Sequence, residues 1–226
     1  AGFTLPILDR LVNGPPVQSN QVRALILVPT RELATQVEAS VTIYGENLAL
    51  RSTVVFGGVK INPQMMRLRK GADLLVATPG RLLDLYSQNA VKFSQLEVLV
   101  LDEADRMLDM GFIDEIRKIL SLLPRMRQNL MFSATFSDEI RLLAKGLVTN
   151  PIEISVNPPD STAINVEQWL CPVDKKNKSA LLVHLIQTQQ WQQVLVFAKT
   201  KQGADQLTRF LVGRALRPQR FMVTRA

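Results

Sequence analysis

One cysteine, Cys171, and one histidine, His184, are all that 226 residues contain of either type. The first scarcity excludes an internal disulfide, and the two together exclude a zinc site of the usual Cys/His kind. Both residues are expected to pack rather than to do chemistry. No apolar run approaches the roughly 20 residues of a membrane span, and the first residues show neither the basic nor the apolar region of a signal peptide. A membrane is therefore not an expected partner, and the cytoplasm is the expected compartment. Aromatic residues make up 6%, too few to surround Trp169 and Trp191 with a base-stacking platform, so both are expected to pack. Lysines and arginines never run together into a tail.

What is present is ordinary in amount and specific in arrangement. A 46% hydrophobic content suffices for a real core. The formal charge of +7, with a pI near 9.9, points to a polyanionic partner whose site folding must assemble from scattered residues. The chain is organised around Val98-Leu99-Val100-Leu101-Asp102-Glu103-Ala104-Asp105. Four apolar residues lead without a turn into carboxylates, as in a strand buried on both faces of a parallel sheet, and the carboxyl ends of such strands are where open α/β sheets bind ligands. There Asp102 can hold Mg2+ directly or through its waters, and Glu103 can orient or deprotonate a water. The same eight residues also read as a strand stopping in a solvated acidic turn.

Strand and helix patterns alternate along the chain. Ala1–Leu11 looks like the inside of a helix, and Ala24–Val28 is a buried strand. Pro29-Thr30-Arg31-Glu32-Leu33-Ala34 follows, with Thr30 as N-cap of a helix running to about Asn47. Ser52–Phe56 is a strand closed by Gly57-Gly58, Asn62-Pro63 caps a short basic helix, and Asp73–Ala77 is a strand closed by Thr78-Pro79-Gly80-Arg81. Phe112–Leu123 is helical, Asn129–Phe132 is a strand ending in Ser133-Ala134-Thr135, Ser137 caps a further helix, and Ile152–Val156 is a strand. The alternation implies a doubly wound, mostly parallel α/β sheet. Beyond a proline-containing linker at 157–165, Val166–Val173 and Gln193–Phe197 read as strands, and Lys178–Gln187 and Gly203–Leu211 as helices. The Met107–Phe112 cluster is expected to pack, and Lys175, Lys176 and Lys178 to lie in a solvated turn.

Taken in order, the Pro29–Ala34, Gly57-Gly58, Thr78–Arg81, Asp102–Asp105 and Ser133–Thr135 motifs resemble the first motor domain of a DEAD-box RNA helicase. Val194–Thr200 resembles the opening motif of that family's second motor domain, and the local wording is similar to the bacterial RhlE-like group. The resemblance implies a RecA-like domain over 1–156 and an incomplete second one over 166–226. It implies an ATP-dependent RNA helicase with ATP and Mg2+ as cofactors. Asp102 would organise Mg2+ on the phosphates, presumed through water, Glu103 would activate the attacking water, and Asp105 would bond across to Ser133 and Thr135. Pro29, Thr30, Arg31, Gly57, Gly58, Thr78, Pro79, Gly80 and Arg81 would line an RNA face that holds the sugar-phosphate backbone with little sequence preference. Each of these also has a plain reading as a cap or turn residue. Protein partners are not legible.

The sequence departs from the family in two places. It has no G-K-T phosphate loop, and Ala1–Leu8 resembles the helix that directly follows one. The expectation is a fragment without that loop or most of the second domain, inactive by itself; the alternative is a non-catalytic RNA-binding or interaction module. Val212–Ala226, with four arginines and a proline where a buried strand should come, is expected to be frameshifted, non-native sequence.

Overall fold

A computed structural model describes residues 2–147, 151–155, 167 and 169–214. By contacts the chain divides into two compact units, 1–159 and 160–226. The expected linker at 157–165 and the tail from 215 onward lie outside the described residues.

The first unit holds five parallel strands in the order β2-β3-β1-β4-β5: β1 Val22–Leu27, β2 Ser52–Val55, β3 Ala72–Ala77, β4 Val98–Leu101 and β5 Gln128–Met131. Helices alternate with them: α1 Thr4–Val12, α2 Arg31–Tyr44, α3 Asn62–Leu68, α4 Pro79–Ser87, α5 Ala104–Asp109, α6 Ile113–Leu122 and α7 Asp138–Leu147. Every residue of β1, β3 and β4 is buried. A sheet covered on both faces demands such largely apolar strands, and side chains of alternate residues feed two cores. Leu25, Leu27, Leu99 and Leu101 join Leu68, Leu82, Met107, Ile116 and Ile140 from α3 to α7. Ala24, Ile26, Val98 and Val100 face the other way, against Ile7, Leu8 and Leu11 of α1 and Val37 and Val41 of α2. This is the doubly wound α/β architecture the alternation predicts.

Arg23 interrupts the apolar run of β1, yet it is only 1% exposed. Its guanidinium reaches Leu11 O at 2.9 Å, Asp73 Oδ1 at 3.1 Å and Glu97 Oε1 at 2.8 Å. One charge thus ties the end of α1, the start of β3 and the approach to β4 at the edge of the sheet where its strands begin. Burial of this cation is tolerable because two carboxylates and a carbonyl replace the water of Nε and Nη1, although Nη2 is left without a partner. Gly14 makes room for it, since a Cβ there would stand 1.8 Å from Arg23 Nη2.

Several expected elements differ. Ile61, not Asn62, occupies the cap position of α3, and it makes no side-chain capping bond. Its backbone is already helical, so Asn62 falls inside the first turn. The described residues of Ile152–Val156, 152–155, form no strand, and Ile152 and Ile154 are 89% and 81% exposed. In the second unit, α8 Lys178–Thr188 and α9 Lys201–Val212 form as the pattern predicts, and Thr200 caps α9 by accepting from Gly203 N. The described parts of Val166–Val173 and all of Gln193–Phe197 are not strands. A strand exists only through a paired neighbour, and none of the described residues supplies one here. Only Val183 and Leu211 are buried among the described residues of this unit, so Cys171 and His184 are exposed rather than packed. Trp169 and Trp191 lean on each other at 6.2 Å while staying half-exposed. Among the described residues no helix is long and apolar enough to cross a membrane.

Candidate functional site

Because all five strands of the first unit are parallel, all five carboxyl ends reach one edge. The pairing keeps them level: Leu27 stands opposite both Ala77 and Leu101, Val55 opposite Ala77 and Leu101 opposite Met131. One further rung carries the ladder into the motifs, with Val28 N, Thr78 N, Asp102 N and Phe132 N donating to Ala77 O, Val55 O, Leu27 O and Leu101 O. The sequence motifs are thereby brought onto a common rim.

On one side of this rim lie the acids. Asp102 follows β4, half-buried, and its Oδ1 accepts from Glu103 N at 3.0 Å. Burial pushes its carboxyl above the ordinary value, the bond from Glu103 N pulls the other way, and the neighbouring Glu103 charge raises it further. Glu103 sits at φ 51°, ψ 52°, a left-handed conformation that costs a side-chain-bearing residue of order 1–3 kcal/mol. The turn is held by that Asp102 bond and by Ala104 N donating to Phe132 O, and Glu103's carboxylate is exposed, 3.3 Å from Arg106.

Asp105, in the first turn of α5, spans to the next strand end. Its Oδ2 accepts from Thr135 N at 3.0 Å and from Thr135 Oγ1 at 3.1 Å. Ser133 Oγ donates to Thr135 O at 2.7 Å and tightens the same loop. Burial raises the Asp105 pKa, but hydrogen bonds from Arg106, Thr135 and Ser133 outweigh it and hold the carboxyl below its ordinary value.

On the other side are the ends of β1, β2 and β3. Thr30 caps α2 by accepting from Leu33 N, and Arg31 lies over the Phe56 ring at 5.0 Å. Thr78 precedes α4 without a side-chain capping bond, and Pro79 after it is buried. Gly58 has φ +79°, a conformation that requires glycine, whereas a Cβ at Gly57 or Gly80 would meet nothing within 4 Å. Arg81 is nine-tenths buried, donates through Nη2 to Val59 O at 2.9 Å, and keeps Nε and Nη1 without hydrogen-bond partners.

The rim can thus offer one partly buried carboxylate, one exposed carboxylate on a strained turn, and a patch of glycine backbone beside two arginines. Among the described residues no three acids, histidines or cysteines converge to hold a metal by themselves. A donor set of one raised-pKa carboxylate fits a Mg2+ that keeps most of its waters and leans on phosphate oxygens, which is how this ion is commonly held.

Sequence reasoning missed two features. Nothing local marks Glu103 as left-handed. Gln64, 6% exposed, was detectable as a polar residue four before Leu68 on the buried side of α3.

Comparison with known proteins closes the argument. Over 211 residues the chain is 41% identical to the DEAD-box ATP-dependent RNA helicase 40 of Arabidopsis thaliana, covering 92% of this chain and 19% of that protein. It is 39% identical to the ATP-dependent RNA helicase CshA of Listeria monocytogenes, covering 93% of this chain and 40% of the relative. The chain therefore spans less than half the length of either. The crystal structure of the yeast DEAD-box splicing factor Prp28 superposes with a TM-score of 0.60 at 35% identity, over 65% of this chain and 37% of that one. Residues 1–143 match the DEAD/DEAH box helicase family, and the chain belongs to it.

Proposed function

We propose that this chain is part of an ATP-dependent RNA helicase of the RhlE-like group, in which the rim of the first unit couples nucleotide hydrolysis to RNA binding. The observation that carries the reading is the pair of hydrogen bonds that Asp105 accepts from the amide and hydroxyl of Thr135, which joins the acidic turn to the end of β5. Phosphate-bound Mg2+ would supply charge neutralisation at the γ-phosphoryl group of ATP. Asp102 would hold that ion through water by its carboxylate, since burial that raises its pKa disfavours an uncompensated negative charge and so favours a cation beside it. Glu103, aimed outward by its left-handed backbone, orients the attacking water and accepts its proton. Thr135 and Ser133 transmit the state of the acidic turn through Asp105.

Pro29, Thr30, Arg31, Gly57, Gly58, Thr78, Pro79, Gly80 and Arg81 form the RNA face. Gly57 and Gly80 have no steric need of glycine within the described chain, so their bareness serves a backbone that approaches from outside. Contacts to phosphate and sugar carry no base information, which accounts for the weak sequence preference proposed. The second unit, with α8, α9 and Val194–Phe197, is the opening of a second RecA-like domain whose described part is incomplete. The sequence contains no G-K-T, so the 226 residues alone do not turn over ATP.

The test joins this chain to the parts of the Listeria relative that lie outside the matched stretch. Glu103→Gln in that protein should abolish RNA-stimulated phosphate release while ATP-dependent RNA binding persists. Full hydrolysis in the variant would overturn the role of Glu103.

A further inference from the structure

The glycine loop between β2 and α3 is held from below by one side chain. Gln64 lies on the buried face of α3, and its carboxamide reads the loop's backbone at both polarities. Oε1 accepts from Phe56 N at 3.1 Å, and Nε2 donates to Phe56 O at 3.2 Å and to Lys60 O at 3.5 Å. Those bonds clamp the two ends of the Phe56–Lys60 turn, with Gly57 and Gly58 arched between them. Within the arch, Val59 O is the acceptor for Arg81 Nη2. The clamp therefore has a second consequence, because the loop it shapes is what steers a guanidinium that buries two unpartnered nitrogens, Nε and Nη1. The nearest acid, Asp84, stands 3.8 Å from Arg81 Nε, beyond hydrogen-bond distance. Nε and Nη1 are closed off from solvent and unpaired, which is costly for a cation; an opening of the loop that frees them to a phosphate oxygen would replace that cost with charge-assisted hydrogen bonds.

We infer that Gln64 is a positioning residue for the nucleic-acid face: its carboxamide sets the Gly57–Lys60 loop, and through Val59 the loop presents Arg81 to a backbone phosphate. No residue other than glutamine supplies an acceptor and two donors at this reach; asparagine is one methylene shorter, and glutamate lacks the donors at neutral pH. The inference rests on the RNA reading for its consequence, but the loop clamp stands apart from it and is measured separately.

The experiment uses the 226-residue chain and a short oligouridylate. Gln64→Met keeps side-chain length and removes every hydrogen bond; if it does not fold, Gln64→Asn, which stays polar but is one methylene too short to reach Phe56, takes its place. In the RNA-free protein, the amide of Phe56, which donates to Gln64 Oε1, should exchange with solvent at least about tenfold faster in the variant, while those of β1 and β4 stay protected. Affinity for the oligouridylate should fall roughly tenfold in Gln64→Met and in Arg81→Ala. The double variant should be no weaker than Arg81→Ala alone, because the two residues act in series. Unchanged exchange in the loop overturns the clamp. Faster exchange with additive losses in the double variant overturns the link to Arg81. If the unsubstituted chain binds no oligouridylate, the RNA reading fails and the inferred role of Gln64 at that face with it, while the exchange rates still decide whether Gln64 holds the loop.

Discussion

Val98-Leu99-Val100-Leu101 and Val194-Leu195-Val196-Phe197 are almost the same four-residue word. The first is a strand with every residue at 0% exposure. The second forms no strand, and its residues are 40%, 75%, 42% and 88% exposed. Apolar content is equal, so it cannot be what separates them. The difference lies in company: β4 pairs with β1 on one side and β5 on the other, and α1 and α5 to α7 cover its faces. No described residue pairs with Val194–Phe197. An apolar word states that a segment can be a buried strand, and neighbours decide whether it is one.

The comparison can be broken most forcefully where neighbours are tied together. Replacing Arg23 by Met strands the carboxylates of Asp73 and Glu97, of which Asp73 is 4% exposed. Loss of one partner from such a buried set costs about 3–5 kcal/mol. Urea unfolding followed by far-ultraviolet circular dichroism should show a loss of that size; a loss of under about 1 kcal/mol would mean that water reaches Asp73 and that Arg23 is not what joins the strands.

A matched pair of truncations comes next. Leu99→Ala should destabilise the first unit by about 2–5 kcal/mol, because it opens a cavity in a closed core. Leu195→Ala, at the equivalent place in the other word, should change stability by no more than about 0.5 kcal/mol, since its side chain is already in water. Both tryptophans, Trp169 and Trp191, lie in the second unit, so their fluorescence reports the Leu195 variant directly. Equal losses from the two substitutions would show that Val194–Phe197 is buried in solution.

The smallest effect expected concerns the rim, where the first unit has a contact between adjacent strand ends. Asp105's pKa is lowered in the folded chain, so its bond to Thr135 contributes stability above the unfolded pKa of about 4. That contribution is lost as pH falls through the lowered folded value. The group is largely exposed, which keeps the gain slight. The Thr135 amide resonance should titrate below the ordinary carboxylate range, and in Asp105→Asn the titration should vanish. A midpoint at or above the ordinary value would show that the bond does not favour the ionised form.

Much of the first unit was legible because its information is local. The central strands are largely apolar runs, and each motif begins where a strand ends, so strand, turn and helix follow from periodicity and capping chemistry. Thr30 illustrates this, since a threonine before Arg31-Glu32 is a cap in the sequence and a cap in the fold. Arg23 was not legible, because one arginine in an apolar run looks like a charge at a strand's edge; its partners Asp73 and Glu97 lie 50 and 74 residues away. The capping role expected of Asn62 failed because the clamped turn before it already winds Ile61 into helical backbone.

By itself, then, the sequence determined which segments are able to be strands and helices and which chemistry stands at their ends, because turn propensity, amphipathic period and side-chain type are properties of a few adjacent residues. Only the tertiary structure decided that five motif-bearing strand ends share one rim, that Asp105 meets Thr135, that Arg23 lies buried among two acids, and that one of two nearly identical words stays outside a sheet. Those outcomes depend on pairing and burial between residues far apart in the chain, and a free energy that arises from distant partners leaves no local mark in the residues that supply it.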